Sequence, residues 1–200
     1  MTFNQFIAKY DFPGSIILLE GKRIVPLEDQ AHLKALGQLL AQKMQYATFR
    51  SGNANGADLY FSQGVAAVNS QKLEVVIPFD GHRSKSNIAG NTLSLDQIDL
   101  AAYPDIVTMS ALNKKTKDLL KKYLTGERNR FTDKVSFIIR DTIKVMGVMG
   151  HPAISFAIFY DDLLAPKTGG TGHTMEVCVQ CQIPYIDQNI WERWITERRI

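Results

Sequence analysis

The chain has 200 residues, of which 45% are hydrophobic and 22% charged, and its formal net charge is +3. This composition is typical of one globular domain, and so small a net charge gives no argument for nucleic-acid binding by itself. No apolar run approaches the roughly 20 residues of a membrane span, and the first ten residues lack a signal-peptide pattern. We therefore expect a single cytoplasmic domain over residues 1–200 with no membrane partner.

The first part of the chain alternates apolar runs with helical patterns. Residues 15–20 predict a first strand, and residues 27–44 carry leucines and a methionine at helical spacing. A second strand is predicted over residues 47–50, with a helix after it, and a third strand over residues 73–79. These strands are continuously apolar, which is typical of strands covered on both faces of a parallel sheet.

The second part of the chain begins with a change of pattern. Residues 80–130 are more polar and too long for a usual crossover, so we expect a helical insertion after the third strand. A helix over residues 132–146, a strand over 154–160 and a strand over 183–186 follow, and residues 188–200 predict a C-terminal helix. The sequence therefore predicts an α/β fold, a Rossmann-like three-layer sandwich with a mostly parallel sheet.

A glycine-rich segment follows the fourth predicted strand and leads into a helix. Its candidate binding residues are Gly169, Gly170, Thr171, Gly172, His173 and Thr174. Glycine lets the backbone approach a ligand closely, and the N–H groups at a helix start point toward one place together with the positive end of the helix dipole. Phosphate binds readily at such a helix start, so we predict that this segment binds phosphate.

A second loop of this kind follows the second predicted strand. Its candidate binding residues are Ser51, Gly52, Asn53, Gly56 and, as a contact to a ribose hydroxyl, Asp58. Because the carboxyl ends of parallel strands meet at one sheet edge, we expect the two loops to share one ligand. The first strand brings to this edge a border for the ribose or base, formed by Gly21, Lys22 and Arg23. The third strand is followed by a basic segment that contains His82, Arg83 and Lys85. The predicted ligand is a nucleotide or nucleotide-derived molecule, and no further cofactor is required.

The two cysteines, Cys178 and Cys181, lie three residues apart in a predicted helix. A Cys-x-x-Cys pair occurs in redox sites and in zinc sites, but no second Cys or His pair at metal-ligand spacing accompanies this one. We expect the thiols to pack as small apolar groups, and we predict no metal site. Unpaired thiols indicate a reducing compartment.

Three motifs together carry a family resemblance. The first strand ends in Gly-x-Arg, residues 51–58 read Ser-Gly-Asn-Ala-Asn-Gly-Ala-Asp, and the last loop contains Gly-Gly-Thr. These motifs resemble the SLOG superfamily of Rossmann-like nucleotide-binding domains, and residues 51–58 are similar to the Ser-Gly-Gly-Ala-x-Gly-Ala-Asp motif of its DNA-processing protein A branch. The resemblance covers residues 15–79 and 132–187. It implies a nucleotide sensor or carrier in a bacterial or phage setting.

Residues 168–176 are similar to the signature Pro-Gly-Gly-x-Gly-Thr-x-x-Glu of a second SLOG branch, the Lonely-Guy phosphoribohydrolases. Glu176 matches the glutamate of the signature, while Thr168 and His173 replace its proline and threonine. In that branch the glutamate acts with an arginine of the preceding helix, where this chain has Arg140 in a context that departs from the family pattern. The resemblance implies an alternative function, in which Glu176 and Arg140 act as catalytic residues that cut the N-glycosidic bond of a nucleoside monophosphate.

A lysine-rich stretch in the insertion supports a third hypothesis, DNA binding as in the DNA-processing relatives. Its residues are Lys114, Lys115, Lys117, Lys121 and Lys122. A lysine run is usually the solvated face of a helix, and acidic residues are interspersed here, so nucleic acid is the less favoured partner.

The tail carries two tryptophans, Trp191 and Trp194, on one side of the predicted helix. An exposed face with two indoles is an interaction surface, so we expect both to be buried. They pack either on this chain or on a second subunit, and we favour a homodimer.

Overall fold

The computed structural model describes residues 1–196, which form six strands and eight α-helices. None of the described helices is both long and apolar enough to cross a bilayer. The elements in chain order are α1 (Phe3–Tyr10), β1 (Ile16–Gly21), α2 (Leu27–Lys43), β2 (Thr48–Ser51), α3 (Ala57–Asn69), β3 (Leu73–Ile77), β4 (Asn91–Ser94), α4 (Pro104–Ser110), α5 (Lys117–Leu124), α6 (Asp133–Met146), β5 (Phe156–Tyr160), α7 (Gly169–Gln180), β6 (Tyr185–Ile186) and α8 (Gln188–Thr196).

The six strands form one sheet in the order β4-β3-β2-β1-β5-β6, and every neighbouring pair is parallel. At the centre, Leu18 of β1 lies opposite Arg50 of β2 and Ala157 of β5. The predicted α/β, Rossmann-like architecture is confirmed, and the sheet is parallel throughout the described residues.

Helices cover both faces of the sheet, because alternate residues of β1 point to opposite sides. Ile17 and Leu19 belong to a core cluster that includes residues of α1, α2, α3 and α8. Ile16 and Leu18 belong to a cluster with residues of α6 and α7. The continuous apolar run of β1 therefore fills two cores at once and places this strand in the middle of three layers.

The segment 80–130 contains a strand that the sequence did not reveal. β4 pairs in parallel with β3 and forms one edge of the sheet, with Ser94 opposite Ile77. Its first two residues are exposed and only Leu93 is an apolar core residue, so the short run has neither an alternating nor a continuous apolar pattern. We expected helices around residues 95–102 and 114–124. The second exists as α5, whereas residues 95–97 and 100–102 form only short 3-10 turns and the first α-helix of the segment, α4, follows them. Both α4 and α5 pack on α6.

The tail helix α8 buries both tryptophans within the chain itself, which confirms their expected burial. The indole Nε1 of Trp191 donates to the carbonyl of Phe159 at 2.9 Å, and that of Trp194 donates to the carbonyl of Met1 at 3.2 Å. The indoles therefore need no second subunit to cover them, and the homodimer stays a prediction. The predicted tail extends to residue 200, and its last four residues lie outside the described part of the chain.

The cysteines are free thiols, as expected. Cys178 is buried and Cys181 is partly buried. Burial raises the pKa of both thiols. Cys178 packs in the core cluster beneath α7. This is the packing role that the sequence predicted.

Candidate functional site

Loops that follow β1, β2 and β5 meet at the carboxyl edge of the sheet. The chain leaves β1 toward β2 on one side and later returns to β5 on the other, so β1 and β5 flank the point where the strand order reverses. Ligands of doubly wound folds bind at such a point. We call the space bordered by residues 21–25, 51–56 and 161–170 the crevice.

The loops after β1 and β2 are packed directly on each other. The amide of Ala57 donates to the carbonyl of Lys22 at 3.1 Å. Gly56 has a φ of +84°, and a Cβ atom there would lie 2.3 Å from the carbonyl oxygen of Arg23. Only glycine satisfies both the left-handed backbone and the close approach. The Ser51–Gly56 loop therefore fixes the position of Arg23 at the crevice.

Asp58 holds these two loops together from below. Its carboxylate accepts hydrogen bonds from the amides of Gly21 at 3.2 Å and Gly52 at 3.1 Å. The residue is only 1% exposed. We predicted a contact between Asp58 and a ribose hydroxyl, but the side chain lies under the loops and binds backbone instead. The carboxylate satisfies the amides of Gly21 and Gly52, which explains why an aspartate occupies the first turn of α3.

The glycine-rich segment after β5 is helical earlier than expected. We predicted a loop up to about Gly172, whereas α7 begins at Gly169, after an extended Thr168. The first backbone bond of the helix joins the amide of Gly172 to the carbonyl of Thr168 at 3.0 Å, and Thr168 makes no side-chain cap. The first three amides of α7, from Gly169 to Thr171, therefore remain for a ligand at the crevice.

His173 and Thr174 point into the protein rather than into the crevice. Nε2 of His173 lies 3.0 Å from the hydroxyl of Thr142, and the residue is 5% exposed. Burial lowers the pKa of His173, which keeps the ring neutral at neutral pH. The hydroxyl of Thr174 donates to Glu20 at 2.9 Å. Our interpretation of His173 as a residue that faces the phosphate is therefore not supported by its position.

Beneath the crevice lies a group of ionisable side chains that we call the buried charge cluster, formed by Glu20, Asp58, Arg140, Asp141 and Lys144. Nζ of Lys144 lies 2.7 Å from Glu20 and 2.9 Å from Asp141. Arg140 lies 2.7 Å from Asp141 and donates to the carbonyl of Gly52 at 3.0 Å. The cluster thus connects the end of β1, the loop after β2 and the helix α6.

The charges of the cluster do not balance when every group is ionised, since three carboxylates face two cations. Burial raises the pKa of Glu20 to about 8. Burial also opposes ionisation of Asp141, but Arg140 and Lys144 outweigh it and lower the pKa of Asp141 to about 2. Protonation of Glu20 therefore neutralises the cluster at neutral pH.

Sequence reasoning missed Glu20, Asp141 and Lys144. Glu20 is the last side chain of the apolar run of β1, and Asp141 and Lys144 lie among apolar residues of α6. The available signal was the charged face of α6 itself, where residues 140, 141 and 144 repeat at helical spacing. A charged helix face is usually exposed to solvent. The sequence does not show that α6 packs on α4 and α5 on one side and on α7 on another, which buries its charged residues.

Positive charge collects at the rim of the crevice around His82. The side chain of Asn53 donates to the carbonyl of His82 at 3.3 Å, which ties the segment after β3 to the loop after β2. Burial lowers the pKa of His82, and the charges of Arg140, Arg83 and Arg23 lower it further. Of these arginines, Arg140 is buried and bound to Asp141, so Arg23 and Arg83 are the ones that leave positive charge at the rim.

The predicted catalytic pair is not brought together. Glu176 is exposed and accepts a hydrogen bond from Gln180 at 2.8 Å. It lies two residues beyond Thr174, which places it about 200° around the helix from the side that faces Glu20. There it lines a cleft of about 330 Å³ with Lys114 and Lys115, and Gly169, Gly172 and His173 of the predicted phosphate segment line the same cleft. Arg140 does not line that cleft. The phosphoribohydrolase hypothesis stays a prediction that this arrangement does not favour.

The lysines of the insertion are exposed, as a solvated face requires. In α5 the residues that pack inward are Leu120 and Tyr123, while Lys117, Lys121 and Lys122 face solvent. DNA binding through this face stays a prediction.

The architecture defines the class of the protein as a Rossmann-like α/β fold. No protein-family model matches the chain, and no curated protein sequence gives a significant match. Among solved structures, it is similar to DNA processing protein A from Helicobacter pylori, described with its single-stranded DNA binding mode, at a TM-score of 0.50 and 14% identity over 93% of this chain and 68% of that one. It is also similar to DNA processing protein A from Streptococcus pneumoniae, at a TM-score of 0.50 and 14% identity over 90% of this chain and 51% of that one.

A third similar structure is the molybdenum cofactor binding protein from Rippkaea orientalis, with a TM-score of 0.47 and 13% identity over 92% of this chain and 86% of that one. At 14% identity, the two DNA processing protein A structures establish a shared fold, and this agrees with the fold that the sequence resemblance implied. The chain spans about two thirds of the first DNA processing protein A and about half of the second.

Proposed function

We propose that the protein binds a phosphate-bearing ligand, a nucleotide or a nucleotide-derived molecule, in the crevice. The observation that carries the proposal is the run of backbone amides at residues 53–56 that have no hydrogen-bond partner among the described residues, in a loop that Asn53 ties to the basic segment of His82 and Arg83. Arg23 and Arg83 add positive charge to this edge of the sheet, and such charge attracts an anion.

Unused backbone donors lie beside these arginines. In residues 1–196, the amides of Asn53, Ala54, Asn55 and Gly56 donate to no other described residue. The helix α3 begins immediately afterwards, at Ala57, so the positive end of its dipole adds to the donors. The start of α7 contributes the amides of residues 169–171 from the other side of the crevice. A phosphate group placed between the two helix starts would accept hydrogen bonds from both.

The carboxylates near the crevice do not repel such an anion. A Cβ atom on Gly170 would lie 2.9 Å from Asp141, so this carboxylate lies beneath the start of α7. Arg140 and Lys144 both contact Asp141 and offset its charge. Asp58 in turn is engaged by two amides. The carboxylates of Asp58 and Asp141 beneath the crevice therefore do not cancel the positive charge of Arg23 and Arg83 at its rim.

Binding without bond cleavage fits the geometry better than hydrolysis. Glu20 is 3% exposed and Glu176 faces the other side of α7, so neither carboxylate is placed to act on a ligand in the crevice. A sensor or carrier role follows. The single-stranded DNA binding mode described for DNA processing protein A from Helicobacter pylori is consistent with phosphate recognition by this fold.

A thermal-shift screen of nucleotides and dinucleotides tests the proposal. A ligand at 100 times its Kd stabilises the folded protein by about 2.7 kcal/mol, which gives a clear rise in Tm. We expect Arg23→Gln and Arg83→Gln each to weaken binding of the best ligand by about tenfold, the loss of one charge-assisted bond. Arg130→Gln is the matched control, because Arg130 is exposed and its guanidinium lies over Phe131 in the insertion. No stabilisation across the panel, or equal affinity in all three variants, would contradict the proposal.

A further inference from the structure

Three side chains with metal-binding atoms meet on the helical layer formed by α2 and α8. Asp29 and His32 lie three residues apart on α2, so they share one face of the helix. Packing of α8 on α2 brings Glu192 to the same place. One ligand atom from each residue lies within 4.8 Å of the other two.

A buried hydroxyl supports the cluster from the core side. Tyr160, the last residue of β5, is 3% exposed, and its hydroxyl donates to the carboxylate of Asp29. Carboxylates that bind metals are usually held by an outer hydrogen bond of this kind, which fixes one oxygen and aims the other.

Asp29 and Glu192 give the cluster a negative charge that no ion pair among the described residues offsets. Two carboxylates lie within 4.8 Å of each other, and none of the ion pairs in residues 1–196 includes Asp29 or Glu192. The buried charge cluster under the crevice is different, because there Arg140 and Lys144 offset the carboxylates. A cation would relieve the repulsion between Asp29 and Glu192 directly.

We infer that Asp29, His32 and Glu192 form a binding site for a divalent transition metal ion. Among Mn²⁺, Co²⁺ and Zn²⁺, we expect Zn²⁺ to bind most tightly. One imidazole nitrogen and two carboxylate oxygens suit zinc and its neighbours, whereas Mg²⁺ and Ca²⁺ prefer oxygen ligands alone. Three protein ligands leave a coordination position open to water. The metal site lies outside the crevice, so the test of metal binding is independent of the test of the proposed function.

Titration of chelator-treated full-length protein with Zn²⁺ in a calorimeter tests the inference. We expect one Zn²⁺ per chain, and we expect His32→Ala and Glu192→Gln each to weaken binding by more than tenfold. Glu28→Gln is the matched control: it removes one carboxylate from the same first turn of α2 but none of the three ligands, and binding should change by less than threefold. Circular dichroism should show the same fold in all variants, because none of these side chains lies in the core clusters.

A second readout uses Co²⁺, which quenches nearby indole fluorescence. Trp191 precedes Glu192 in the chain, and its ring centroid lies 6.5 Å from that of Tyr160. Co²⁺ should quench tryptophan emission in the wild-type protein and not in His32→Ala, and Zn²⁺ should reverse the quenching while Mg²⁺ does not. No Zn²⁺ binding would overturn the inference. Binding that persists in His32→Ala and Glu192→Gln, or that is lost in Cys181→Ser, would overturn it as well.

Discussion

Nζ of Lys144 lies 2.7 Å from Oε2 of Glu20, and both side chains are almost fully buried. The two residues come from α6 and from the end of β1, so the pair joins a helix of one outer layer to the central strand. The same ammonium contacts Asp141, which lies beneath the start of α7. The floor of the crevice is therefore ionic rather than apolar, and several predictions about stability depend on it.

Replacement of Lys144 by methionine should destabilise the fold strongly. With Glu20 protonated, Arg140 and Lys144 balance the carboxylates of Asp58 and Asp141, so the variant leaves the buried cluster one cation short. Removal of one partner from a buried pair costs about 3 kcal/mol or more. Urea unfolding followed by circular dichroism measures the change in the free energy of unfolding. Lys121→Met on the exposed face of α5 is the control, and it should change stability by less than about 0.5 kcal/mol. A loss below about 1 kcal/mol in Lys144→Met would contradict the role assigned to the cluster.

Glu20 should make the protein less stable as the pH rises. Its folded pKa of about 8 lies above the unfolded value of 4.5, so the folded state holds the proton more tightly. The resulting stability is fully present below pH 4.5 and is lost as the pH rises through 8, by up to about 1.4 kcal/mol per pH unit. Glu20→Gln mimics the protonated acid and should lack this loss.

Urea unfolding of both proteins at pH 6 and pH 9 measures the effect. Wild type should lose stability relative to Glu20→Gln between the two pH values. Parallel pH profiles for the two proteins would mean that Glu20 is ionised in the folded state throughout.

Two neighbouring substitutions at the end of β2 should have opposite effects. Ser51 is fully buried, and its hydroxyl has no hydrogen-bond partner among the described residues, so Ser51→Ala should leave stability unchanged or raise it by up to about 1 kcal/mol. A Cβ atom on Gly52 would lie 2.8 Å from Asp58 and 3.0 Å from Lys144. Gly52→Ala should therefore cost about 2 kcal/mol, the usual cost of overpacking. Thermal unfolding measures both, and a Gly52→Ala protein as stable as Ser51→Ala would show that the loop moves freely.

Much of the fold was accessible from the sequence because the relevant signals are local. The apolar run of β1, the glycine at position 56 and the helical spacing in α2 each depend on neighbouring residues alone. β4 was missed because an edge strand needs only one apolar residue to face the core.

The site was less accessible, because its side chains come together from distant segments. The sequence predicted a helix start in the glycine-rich segment, although the helix begins at Gly169 and not near Gly172. It did not show that the side chains of Asp58 and His173 point into the protein. It also predicted no metal site, since Glu192 is far along the chain from His32 and only the packing of α8 on α2 brings them together. Side-chain direction and long-range packing are not encoded in spacing.

Glu176→Gln should leave ligand binding unchanged. The carboxylate is exposed on the side of α7 away from Glu20, where it accepts a hydrogen bond from the side chain of Gln180. We also expect no release of free base when the protein is incubated with AMP and other nucleoside monophosphates. Chromatography of the reaction mixtures measures base release. Turnover that is abolished in Glu176→Gln would establish the phosphoribohydrolase alternative instead.

The central claim is that the loop after β2 and the start of α7 hold one anionic ligand between them. Hydrogen–deuterium exchange with and without the nucleotide that gives the largest thermal shift tests this claim most directly, since it reports on the backbone amides themselves. Free amides at residues 53–56 and 169–171 exchange quickly in the unliganded protein, and a bound phosphate slows those that it engages. We predict that both segments gain protection together and at the same ligand concentration. Protection confined to residues 112–115 and the outer face of α7, or no protection at either helix start, would contradict the account.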